Sequence, residues 1–255
     1  MKTQPSITEF ELQFLEATKL LFESSADYDS FLEGKMRKYV DYANIPTKEN
    51  GEAMVPIDDI ANVRARQIGQ DMRKFTGDAI YVREAVLGML VSAGELLQEK
   101  LPGSELQVVY GYRADSIQRG LFERIKAEKL ASGFDGSEAE LLEVVHRMVA
   151  VPSVAGHPTG GAIDIQIARD GDPLNFGTPI WDFDDADTYT FSPNITPLAW
   201  ANRQLLRGVM MPVGFTPFDG EWWHFSYGDP EWAAATNAQS AIYDQIEFRV
   251  MTNDA

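Results

Sequence analysis

At 255 residues, with 44% hydrophobic and 24% charged positions, the chain has the composition of a globular protein long enough to bury a core without covalent staples. Lys and Arg total 22 against 39 Asp and Glu, a formal charge of −17 that opposes binding to nucleic acid phosphates or to an anionic membrane surface. The absence of cysteine removes disulfides, thiolate metal sites and cysteine nucleophiles together, and leaves the redox compartment open.

Phe10, Leu12, Phe14, Leu15, Leu20 and Leu21 recur at approximate helical spacing and predict a first helix over 7–22. Glu9, Glu11 and Glu16 interrupt its apolar run, which argues against a secretory signal. No stretch approaches the roughly 18 apolar residues of a membrane span, so a cytoplasmic protein is expected. Residues 24–51 read as loop or extended chain. Helices are expected over 57–75 and 79–97, the second with Val82, Val86, Leu87, Leu90 and Leu97 marking one face.

Leu101-Pro102-Gly103-Ser104 signals a turn before a buried strand over 106–110, and helices follow over 116–130 and 137–149. At 161–167 the period changes to two. Ile163, Ile165 and Ile167 share one face and Ala162, Asp164 and Gln166 the other, the pattern of a half-buried strand. After an acidic loop over 171–187, residues 197–211 read as helix, 222–227 as an aromatic strand and 242–250 as a last candidate strand. Helices gather in the first 150 residues and strands in the rest, with neither repeat nor linker. The expected fold is therefore α+β, a single domain with an antiparallel sheet flanked by helices, preceded by a helical extension over 1–35.

Three histidines make the search for chemistry short. His146 lies on an amphipathic helix and reads as a packing or surface residue. His157 lies in Gly156-His157-Pro158-Thr159-Gly160-Gly161, a loop feeding the strand that bears Asp164, so an imidazole and a carboxylate suited to zinc can converge. The same spacing also suits a hydrogen-bonded turn. His224 follows Glu221 by three residues with Trp222 and Trp223 between them. That pattern serves core packing, or, by excluding water, strengthens the field around a metal. Two His, one Asp and a spare Glu make the usual kit of a catalytic zinc: three ligands, an open position and a base. Arg113, at the exit of the 106–110 strand, suits either a surface ion pair or the holding of a developing oxyanion. No G-x-S-x-G elbow, phosphate-binding loop, dinucleotide fingerprint or H-E-x-x-H is present.

Taken in order, these segments resemble the zinc D-alanyl-D-alanine dipeptidases of the VanX type. His157, Gly160, Ala162 and Asp164 match the family's S-x-H-x-x-G-x-A-x-D pattern, Glu221, Trp223 and His224 its E-x-W-H, and Tyr112-Arg113 its G-Y-R. Lys38 to Asn44, Gly177 to Asp182 and Asn202 to Leu206 match further segments, so the likeness runs from about residue 36 to 235. The resemblance implies a hedgehog/DD-peptidase-like fold and a zinc dipeptidase domain over 36–255. It implies Zn2+ on His157, Asp164 and His224, Glu221 as the general base, and Arg113 on the tetrahedral oxyanion. Asp182 and Tyr39 would hold the substrate's ammonium group, and the substrate would be a small dipeptide such as D-alanyl-D-alanine. Two departures bear on substrate fit: Ala155 replaces the family's Ser, and the acidic loop is one residue longer, which sets Asp184 in competition with Asp182. Two other functions stay open at this point. One is a peptidoglycan D,D- or L,D-carboxypeptidase or endopeptidase of the same superfamily; the other is a metal-stabilised binding domain without activity.

Overall fold

The computed structural model describes residues 37–182 and 186–250, so the helix expected over 7–22 and Asp184 lie outside the described residues. In chain order come α1 (Tyr39–Tyr42), β1 (Met54–Pro56), β2 (Val63–Ala65), α2 (Arg73–Thr76), β3 (Tyr81–Arg83), α3 (Glu84–Lys100), β4 (Ser104–Tyr110), α4 (Asp115–Ala131) and α5 (Glu138–His146). The chain continues through β5 (Ala162–Arg169), β6 (Asp172–Pro173), α6 (Pro197–Met210), β7 (Thr216–Pro217), β8 (His224–Ser226) and α7 (Pro230–Thr236). The architecture is α+β. The main sheet has the order β2-β4-β5-β8-β7 with β6 on the end of β5, and β1 and β3 form a separate antiparallel pair.

The isoleucine alternation becomes β5, the strand on which the sheet is built. Ile163, Ile165 and Ile167 are fully buried beneath α3 and α6, which contribute Val86, Leu90, Ala93 and Leu97, and Leu206, Val209 and Met210. Each such aliphatic side chain contributes about 1.5–3 kcal/mol of burial, and this face is the main core. β5 is not half-exposed as its pattern suggests, because Ala162, Asp164 and Gln166 are buried too. A second apolar cluster joins Tyr42 of α1 to Phe122 and Ile125 of α4, Leu141 and Val145 of α5, and Val149, Val151 and Val154 beyond it. α5 starts where its sequence says it should: the Ser137 hydroxyl accepts from Glu140 N while the Glu140 carboxylate accepts from Ser137 N.

Four expected elements differ. The helix expected over 79–97 begins only at Glu84, because Tyr81, Val82 and Arg83 pair with Pro56, Val55 and Met54 as β3. The helix expected over 57–75 is largely irregular chain carrying β2 and the start of the short α2, because Val63, Arg64 and Ala65 pair in parallel with Leu106, Gln107 and Val108. This is the one parallel pairing in a sheet otherwise antiparallel. The 222–227 strand shrinks to β8, since Glu221 N bonds Phe218 O and His224 N bonds Glu221 O in a turn. Residues 242–250 form no strand. They are extended chain tied down singly, with Ile246 N on Pro158 O and Val250 N on Phe75 O. No helix among the described residues is long and apolar enough to cross a membrane.

Candidate active site

Sheet register creates the site. Asp164 on β5 faces Tyr110 of β4 on one side and His224 of β8 on the other. The β4–β5 register shifts between Val108 and Tyr110, a bulge of the kind that re-aims side chains beside active sites. His157 arrives from the loop before β5, in the 3-10 turn His157–Thr159. That turn is closed by Gly160 at φ 77°, a left-handed conformation that glycine adopts without strain. His157 Nε2 lies 3.5 Å and His224 Nδ1 3.1 Å from the same Asp164 oxygen, Oδ1. One donor atom from each residue falls within 4.8 Å of the others, and among the described residues this is the one such group. The three residues proposed from sequence as ligands are thus brought together.

Surrounding bonds set the state of each donor. His157 Nδ1 donates to the Gly111 carbonyl at 2.8 Å, so its proton is on that nitrogen and Nε2 presents a lone pair to the centre. The Trp181 indole donates to Asp164 Oδ2 at 2.8 Å, which orients the carboxylate and leaves Oδ1 directed at the imidazoles. Trp181 holds φ 67°, a left-handed conformation unusual for a bulky residue; its bond to Asp164 and its edge-on contact with Tyr110 keep it there. Without a cation the electrostatics are divided. Burial pushes His157 down to about 4 against the pull of Asp164. Burial opposes ionisation of Asp164 as well, but the charge and hydrogen bonds of His157 and His224 outweigh it and hold that carboxyl well below its usual range. Burial also works against a charged His224, yet its bond to Asp164 and the charges of Glu231 and Glu221 raise it to about 9. One buried carboxylate thus holds a charged His224 on one side and a neutral His157 on the other. Two nitrogens and a carboxylate oxygen around an enclosed point fit a zinc site with an open coordination position.

The triad opens onto a cavity of about 60 Å³, several times what one water needs. Glu221 lines it. Burial pushes its carboxyl up to about 8, with His224 and Arg113 opposing and Asp164 and Glu231 adding to the shift. Arg113 lines it too and is not a surface ion pair. Its guanidinium lies over the Tyr110 ring at 4.6 Å from the centroid, Nη1 donates to Gln118 Oε1 at 2.8 Å, and Nε is buried without a partner. Gln118 in turn donates to Ala150 O, so the cation is clamped against the cavity wall.

Tyr39 and Asp182, expected near the substrate, are not among the lining residues; their neighbours Tyr42 and Trp181 are. Tyr39 is held at its backbone by the Glu143 carboxylate and packs beside the His146 ring instead. His146, which its sequence context assigns to packing, also lines the cavity. Val151 N donates to His146 Nδ1 at 3.0 Å, so the ring proton is on Nε2 and is given to the Tyr42 hydroxyl at 2.6 Å. Only tertiary structure joins that pair, 104 residues apart. Glu231 completes the polar lining, and no motif pointed to it.

A family model described as D-Ala-D-Ala dipeptidase matches residues 74–245. A D-alanyl-D-alanine dipeptidase of Synechocystis sp. is 27% identical over 235 residues, covering 81% of this chain and 94% of the relative. A D-alanyl-D-alanine dipeptidase of Escherichia coli is 25% identical over 155 residues, 59% of this chain and 71% of that one. Among solved structures, the LdcB LD-carboxypeptidase aligns at TM-score 0.41 and 19% identity, covering 74% of this chain and 75% of that one.

Proposed function

Because the chain belongs to the D-Ala-D-Ala dipeptidase family of metallopeptidases, we propose that it hydrolyses small dipeptides such as D-alanyl-D-alanine, with zinc on His157, Asp164 and His224 and with Glu221 as general base. The observation that carries this reading is the convergence of His157 Nε2, Asp164 Oδ1 and His224 Nδ1 at one wall of a cavity that Glu221 also lines. We assign the whole stretch 36–255 to this catalytic domain.

Zinc, when bound, supplies a Lewis acid that polarises a carbonyl oxygen and acidifies water. The residues supply the rest. His157 enters the site as the neutral tautomer fixed by Gly111 O, and Trp181 stops the Asp164 carboxylate from turning away. Glu221, which lines the same cavity, is the carboxylate we assign to take the proton of the attacking water and return it to the leaving nitrogen. Burial raises its pKa to about 8, against the opposing charges of His224 and Arg113, which suits a group that both accepts and donates a proton near neutral pH. Arg113, held by Gln118 and Tyr110, offers a preorganised cationic donor to the oxyanion. Enclosure by Trp181, Phe218 and Val154 limits the water that would weaken these charges.

The test is Glu221→Gln assayed on D-alanyl-D-alanine. We expect kcat to fall by about 10²–10⁴-fold, the usual worth of a positioned acid–base group, with metal content unchanged. A variant that keeps most of its turnover removes Glu221 as the base. Failure of the wild-type protein to cleave any dipeptide removes the reading itself.

A further inference from the structure

The extended segment beyond α7 belongs to no sheet, yet its residues 244–248 bond two separate parts of the site. One is the 152–160 loop that delivers His157. The Gln245 side-chain amide donates to Pro152 O at 2.6 Å and to Ala155 O at 3.1 Å, and Ile246 N donates to Pro158 O at 3.0 Å. The other is Gly111-Tyr112-Arg113, which supplies the acceptor of His157 Nδ1 and the cation assigned to the oxyanion. Here the Tyr112 hydroxyl donates to Ile246 O at 2.8 Å and accepts from Phe248 N at 2.9 Å, and its ring meets that of Phe248 edge-on. Arg83 anchors the near end. Buried and paired with Glu49, it donates to Asp244 O at 3.3 Å and to Thr159 O at 2.7 Å, while Asp244 N donates to Glu49 Oε2 at 2.7 Å. The loop's carbonyls at Pro152, Ala155 and Pro158 thus find their donors in a segment far away in sequence. Backbone groups satisfied in this way keep their arrangement only while the donor chain stays seated.

We propose that residues 244–248 form a positioning strap that fixes His157 relative to Arg113, and so the metal relative to the oxyanion donor, with Gln245 and Tyr112 as its two grips. This rests on the dipeptidase reading. Neither grip is among the residues lining the cavity, so both act through the backbone they hold. Tyr112, the middle residue of the Gly-Tyr-Arg motif, thereby gains a task distinct from that of its neighbour Arg113. The competing role is a plain brace of the fold, which would lower stability and leave the zinc affinity and turnover of folded molecules untouched.

The experiment uses the full chain carrying Tyr112→Phe, Gln245→Met or both. Phe keeps the ring and Met the volume, while the bonds to the strap and to the loop are lost. Zinc affinity is read by competition with a chelating dye, and kcat on D-alanyl-D-alanine with saturating zinc, at a temperature where denaturant unfolding shows every variant folded. Each single variant should weaken zinc binding and lower kcat by about 3- to 10-fold, the worth of one or two hydrogen bonds. The double variant should lose less than the product of the two, because a released strap cannot be released again. Amide hydrogen exchange over 152–160 in metal-free protein should quicken in each variant while that of β5 stays as in wild type. Unchanged zinc affinity and kcat, or losses that multiply in full, overturn the proposal. Should Gln245→Met fail to fold, Gln245→Ala is read in the same way, and Tyr112→Phe tests the strap from its other grip. Wild-type protein that cleaves dipeptide while the variants match it refutes this inference alone. Wild-type protein that binds zinc and cleaves nothing refutes the dipeptidase reading, and zinc affinity and loop exchange still decide for or against the strap.

Discussion

The cavity has two walls built by different physics. The sheet wall carries Asp164 and His224, together with His157 and Arg113 from the chain next to it, and its geometry is dictated by strand register and a bulge. The helical wall carries Tyr42, Leu121, His146 and Val149, and its geometry follows from how α1, α4 and α5 pack in the second apolar cluster. A one-residue slip of β8 would turn His224 to the other face, so the first wall tolerates no adjustment. The second wall is a packing surface, where exchange of one apolar side chain for another of similar volume costs little. The candidate ligands thus sit on the part of the fold least free to vary, and the rest of the cavity's shape on the part that varies most easily.

Substitutions on the two walls should therefore have different signatures. The largest after the base is Arg113→Ala on the sheet side. Removal of an oxyanion donor should lower kcat by about 10²–10³-fold with little change in KM, measured by steady-state kinetics. A loss confined to KM would make Arg113 a substrate anchor instead. Next is Trp181→Phe, which deletes the donor to Asp164 Oδ2 while keeping an aromatic ring. Zinc affinity, read by competition with a chelating dye, should drop by about 10–100-fold, the usual cost of removing an outer partner of a ligand. Unchanged affinity would show that the sheet alone orients the carboxylate.

The smallest effect on turnover is expected on the helical wall, from His146→Gln. Burial pushes His146 down to about 4 from its ordinary 6.5, so the unfolded chain takes up this proton first as the pH falls. Its contribution to stability is complete above pH 6.5, drains away between 6.5 and 4, and is gone below. Denaturant unfolding of metal-free wild type and His146→Gln should diverge in pH dependence across that window while kcat at neutral pH stays nearly the same. Parallel pH profiles would show that His146 is protonated in the fold or plays no part in its acid sensitivity.

The same division explains what could be read from sequence. The alternation at Ile163, Ile165 and Ile167 placed Asp164 on the opposite face, and the Gly-rich loop and the Glu-Trp-Trp-His run marked the other site residues, because local pattern decides strand faces. The partners that orient the triad were not legible. Gly111 acts through its carbonyl, which has no side-chain signature, and Trp181 acts through a left-handed backbone that no periodicity announces. Tyr42 and His146 meet across 104 residues, and Tyr39, three positions earlier, bore the motif without reaching the cavity. The helical pattern over 57–75 gave way where Val63 was buried by pairing with β4, tertiary context overriding local preference.

Crystals of zinc-loaded protein, measured by anomalous scattering on both sides of the zinc absorption edge, would examine the centre itself. One strong peak per chain is expected, bonded to His157 Nε2, Asp164 Oδ1 and His224 Nδ1. A peak bonded elsewhere, or none at those three atoms while zinc is present in the crystal, would contradict the account.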